Sequence, residues 1–170
     1  MLTWKEATRL KSALYLSRSP ERIKQLSETR RDGFPDALEY ASYTYESVAL
    51  QLIQRAEGRA QLAKLGKYDK PKLFAVLERF WLAASELIAT PEGRLYLAKV
   101  REPEGIVPGW TGLHVVASHH TDLGVLLNKL DPELLVKTVS TGGWSAYDSV
   151  KNNIDQLSFN SASARRIKRR

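Results

Sequence analysis

Residues 35–65, PDALEYASYTYESVALQLIQRAEGRAQLAKL, carry the longest uninterrupted helical pattern of the chain. Within them Leu38, Ala41, Tyr45, Val48 and Leu52 recur at intervals of three and four, which lines side chains up along one face of a helix. Ala56, Ala60 and Ala63 continue that face as a stripe of small residues. The spacing predicts a single helix of about eight turns, loosened at Gly58 and closed at Gly66, where a glycine accommodates a helix C-terminus.

The same periodicity extends in both directions, and the alternation expected of strands is nearly absent. Upstream, Thr3-Trp4-Lys5-Glu6 is a capping-box pattern, and Trp4, Ala7, Leu10 and Leu14 predict one amphipathic helix to Leu16. Ser19-Pro20-Glu21 offers a cap followed by proline at the first helical position, where its missing N–H costs nothing, and starts a helix to about Arg30. Asp32-Gly33-Phe34-Pro35 is a turn. Downstream of Lys70-Pro71, Leu73, Phe74, Leu77, Phe80, Trp81, Ala84, Leu87 and Ile88 mark a central apolar helix. Thr90-Pro91-Glu92 and Asp131-Pro132-Glu133 each begin a short helix on either side of an apolar stretch, 113–130. Residues 101–112, REPEGIVPGWTG, contain two prolines and three glycines and predict an ordered central loop anchored by Ile106, Val107 and Trp110. Ser145 with Asp148 caps a last helix with Val150, Ile154 and Leu157 inside.

No stretch reads as an internal repeat. The expected architecture is therefore all-α: an irregular single-domain bundle of about six to eight helices over residues 1–159, with a basic C-terminal tail over 160–170. A length of 170 residues with 43% hydrophobic content suits one core. The chain has no cysteine, which excludes disulfides, thiolate metal sites and cysteine nucleophiles. Apolar runs such as Leu73 to Leu77 and Leu123 to Leu127 fall far short of the ~20 residues that span a bilayer. With charges dispersed through the first twenty residues, no secretory signal or membrane attachment is expected, and a cytoplasmic location is.

The net charge of +7 is concentrated at the two ends. Residues 1–31 hold 8 basic and 3 acidic side chains, residues 160–170 hold 5 basic and none acidic, and the middle holds 13 basic and 16 acidic. Clustered cations attract phosphate polymers in a way scattered ones do not. Lys5, Arg9, Arg18, Arg22, Lys24, Arg30 and Arg31, with Arg165, Arg166, Lys168, Arg169 and Arg170, are therefore the candidate nucleic-acid contacts. Tyr40, Tyr43, Tyr45, Trp110, Trp144 and Tyr147 are candidate stacking platforms beside them, whereas Trp4 and Trp81 read as core anchors.

Catalytic patterns are sparse. His114, His119 and His120 precede Asp122, but their spacing is poor for a shared metal ion, and no nucleotide-binding glycine loop or serine-hydrolase motif occurs. The sequence thus predicts a non-catalytic accessory protein without a cofactor, binding RNA or DNA through its backbone as a helical subunit of a larger nucleoprotein complex. The alternative is an adaptor that holds a protein partner through the 36–65 helix and the Trp110 loop, and a weaker one is a hydrolase or nuclease using the histidines.

Overall fold

The computed structural model describes residues 3–103 and 109–167, with side chains through residue 156. The expected anchors Ile106 and Val107, and the cations Lys168, Arg169 and Arg170, lie outside the described residues.

Thirteen helices and no strand are found among the described residues. They come in groups of three. The first unit holds α1 (Trp4–Ala7), α2 (Leu10–Leu16) and α3 (Pro20–Glu28), and the second α4 (Ala37–Thr44), α5 (Glu46–Ile53) and α6 (Ala56–Leu62). The third holds α7 (Lys72–Arg79), α8 (Trp81–Ala89) and α9 (Pro91–Lys99), and the fourth α10 (Gly112–His119), α11 (Thr121–Leu130) and α12 (Pro132–Lys137). A single long helix, α13 (Ala146–Ile167), follows. It continues through residues 160–167, where a tail was expected to begin.

These units repeat, which overturns the expectation of an irregular bundle without internal repeats. The first helices of successive units start after Asp36, Pro71 and Thr111, and α13 after Ser145. At each of the four starts the first helical N–H reaches back to the end of the preceding unit: Ala37 to Thr29 O, Lys72 to Lys64 O, Gly112 to Val100 O and Ala146 to Thr138 O, at 2.9 to 3.0 Å. Among the described residues each connecting loop holds one left-handed residue: Gly33, Asp69, Gly109 or Gly143. The third helices preserve the repeat in sequence, because residues 57–64 read EGRAQLAK and residues 92–99 read EGRLYLAK. Their arginines act alike, Arg59 and Arg94 each donating at 2.8 Å to the carbonyl six residues upstream, Ile53 O and Ile88 O.

The long helix expected over 35–65 is in fact α4, α5 and α6. It breaks at Tyr45, which is both the last cap of α4 and the first of α5, with an extended backbone at φ −123° and ψ 110°. Phe80 and His120 break the other two apolar stretches in the same way, nine residues after Pro71 and Thr111 as Tyr45 is after Asp36. The helix expected over 4–16 divides at Thr8 and Arg9. None of these corners carries Gly or Pro. The chain turns there because two short helices folded back on each other bury both apolar faces, which one continuous helix cannot do.

Stacking supplies the core. First helices pack in the row α4, α7, α10, α13, second helices in the row α2, α5, α8, α11, and α3 packs on α6. Leu38, Leu73 and Leu113 occupy the same position in their units and are fully buried. A buried ion pair between Lys72 and Asp36 joins the second unit to the third, while Asp36 also caps α4 by accepting from Glu39 N at 2.8 Å. The capping box at Thr3 and the proline starts at Pro20, Pro91 and Pro132 are formed as the sequence implies.

Gly58 and Gly93 give a test of the repeat. A Cβ at either would sit 2.2 Å from Leu52 O or 2.0 Å from Leu87 O, a backbone atom in both cases. Glycine to alanine inside an exposed helix stabilises by about 1 kcal/mol, but here both Gly58→Ala and Gly93→Ala are expected to destabilise by about 1–3 kcal/mol. Urea unfolding of the two variants checks the sign, and a gain in stability at either position would contradict the close approach of the second and third helices.

Candidate nucleic-acid interface

The first unit brings together three of the predicted cations that the sequence separates. Phe34 N donates to Arg31 O at 3.0 Å, closing a turn through Gly33 at φ 76°. That turn lays the Arg31 guanidinium 4.2 Å from the centre of the Phe34 ring and 5.6 Å from that of Trp4. Trp4 rests against Phe34 at 5.2 Å and meets Tyr40 edge-on at 4.9 Å, and its indole N–H donates to Pro35 O at 2.9 Å. Lys67, in the next loop, donates its ammonium to Gly33 O and ties the turn to the second unit. The result is an open depression lined by Thr3, Trp4, Lys5, Thr8, Arg30, Arg31, Phe34 and Tyr40. Three cations and three aromatic rings line it, none of its described lining residues is acidic, and the nearby Glu6 carboxylate is taken up by Thr3 N and Oγ1 at 2.9 and 2.7 Å.

The remaining predicted cations are dispersed. Arg9 and Arg18 are exposed, Arg22 lies 4.0 Å above the Tyr15 ring, and Lys24 is 3.8 Å from Glu28. Arg165 and Arg166 lie in the helical backbone of α13, which packs on α10, α11 and α12.

The predicted aromatic platforms fall into two sets. Tyr40 lines the depression, while Tyr45 packs on the core and Tyr43 lies under the Arg79 guanidinium at 4.6 Å. Trp110 and Trp144 each stand one residue before a unit's first cap, so they occur on adjacent loops along one edge. Trp144 is half exposed, at 52%. With Ser118, Ser149, Asn152 and Asn153 the two tryptophans line a groove of about 280 Å³. Tyr147 is exposed on α13. Sequence reasoning missed Trp4 and Phe34. Trp4 reads as a core residue from its helical spacing, and only the adjacency of Arg30, Arg31 and Phe34 in one turn hints at the site.

The histidines are occupied structurally. His114 is fully buried; its Nδ1 accepts from Thr111 N at 3.2 Å, and its Nε2 lies 3.0 Å from Trp144 O. A carbonyl only accepts, so the ring proton belongs on Nε2. His120 Nε2 lies 2.6 Å from Leu77 O, His119 is 3.9 Å from Glu78, and Asp122 accepts from the Trp81 indole at 2.8 Å. No group of three metal-ligating side chains occurs among the described residues. No helix there is long and apolar enough to cross a membrane. Comparison with protein-family models, curated proteins and solved structures gives no match.

Burial holds the His114 imidazole below its ordinary range, ahead of the opposing pull of the Trp144 carbonyl. Between its folded value and the ordinary value of about 6.5, the unfolded chain binds a proton that the folded chain refuses. Stability from this residue is complete above that ordinary value and is lost as pH falls through the folded one. The urea midpoint is expected to drop from pH 7 to pH 5, and His114→Gln, which cannot protonate, should lack that component. Identical pH slopes in the two proteins would contradict a neutral buried imidazole.

Proposed function

We propose that the chain is a non-catalytic binding protein that holds the phosphate backbone of RNA or DNA on its first unit. The observation that carries this is the convergence of Lys5, Arg30 and Arg31 on one open surface with no acid among its described lining residues. Such a surface favours a polyanion, because each neutralised phosphate releases condensed counterions. Arg165, Arg166, Lys168, Arg169 and Arg170 supply a second cluster of positive charge in this reading.

A second reading has its own support. Tandem units place Trp110 and Trp144 side by side on adjacent loops with a groove between them, and stacked repeats commonly use such edges for protein recognition. In that case the chain is an adaptor subunit. The long 36–65 helix originally expected to serve it is absent, and the Trp110 loop remains.

Fluorescence anisotropy with labelled oligonucleotides across a salt series tests the first reading. The logarithm of the affinity should fall linearly with log salt, and the Lys5→Gln, Arg30→Gln, Arg31→Gln triple variant should reduce that slope by about 2 to 3, one per lost phosphate contact. An unchanged slope in the triple variant would move the contacts elsewhere. Loss of affinity only on truncation after Asn160 would assign them to the C-terminal patch.

A further inference from the structure

The depression on the first unit combines its cations with aromatic rings, and the rings do nothing for a phosphate. We propose that this corner seats an unpaired nucleobase, so that the chain selects single strands over duplex; the proposal rests on the nucleic-acid reading above. Phe34 is 46% exposed although it is a large apolar side chain in a turn. It is held there by the Phe34–Arg31 turn bond and by Lys67 on Gly33 O, so its position is built into the fold. Trp4 forms the wall behind it, fixed by its bond to Pro35 O and its edge contact with Tyr40.

Arg31 has two roles in this arrangement. Its guanidinium lies over Phe34 and beside Trp4, presenting a flat cationic face on which a base stacks, while its N–H groups remain available to a phosphate oxygen. Lys5 from α1 and Arg30 from the turn flank the same surface, placing positive charge on both sides of the rings. Asp32, although in the same turn, is not among the lining residues. A base inside a duplex is already stacked on both faces and cannot reach such a corner without being extruded. An unpaired base can, and every base has a π-face, so the seat tolerates any sequence. The partner is thus a single-stranded nucleic acid bound through one base and its neighbouring phosphates.

The test uses the full chain and three labelled probes of equal length: a single-stranded oligothymidylate, an abasic strand with the same phosphates, and a duplex. Oligothymidylate should bind about tenfold more tightly than the abasic strand and the duplex at one salt concentration, a ratio in the range expected for one stacked base. Phe34→Ala removes the ring that seats Arg31, so it should lower affinity for oligothymidylate more than for the abasic strand and collapse the tenfold ratio between them towards one. Equal affinity for base-bearing and abasic strands overturns the base seat while the phosphate reading stands. Tighter binding to duplex overturns it also. Failure of all three probes to bind at low salt overturns both readings together.

Discussion

Short helices leave many backbone carbonyls without a partner, and the whole stack depends on how those are satisfied. The last carbonyls of every helix lack an acceptor's usual donor four residues on, and this chain ends a helix at every corner. Side chains from the neighbouring helix or unit supply the missing donors. Arg59 and Arg94 reach Ile53 O and Ile88 O, His120 reaches Leu77 O, and Asn153 donates to Ala117 O and Ser118 O. The arginine bonds hold the second and third helices of a unit together, and those of His120 and Asn153 tie one layer to the next.

The same constraint accounts for the ring contacts of His114 and His120. His114 and His120 both spend Nε2 on a backbone carbonyl, and His114 also spends Nδ1 on the cap of its own helix. An isolated helix of eight residues is marginal in water, so these units hold their shape through contact with neighbours. Stability is then close to a sum of unit and interface terms. The buried Lys72–Asp36 pair lies at one such interface, where leaving either charge unpaired is expensive.

The candidate surface arises where the α1 side and the turn before α4 lie together, so that Trp4, partly buried against the core, has Lys5, Arg30 and Arg31 as neighbours. The groove between Trp110 and Trp144 has a different origin. It follows from the repetition itself, which puts the residue before each first-helix cap on one edge.

Sequence alone determined the helical class, the capping of α1, the proline starts of α3, α9 and α12, the turn at Gly33 and the charge concentrated at both ends, because caps, proline geometry and charge are local properties. The repeat was present in it too, as EGRAQLAK and EGRLYLAK, but the rest of each unit has diverged enough to hide the period. Only the tertiary structure decided the corners at Tyr45, Phe80 and His120. Periodicity continues unbroken across them, and the gain from folding the helix back is burial against another unit, which no local window contains. It also decided that Lys5 meets Arg30 and Arg31, since proximity of distant residues is set by how the helices pack.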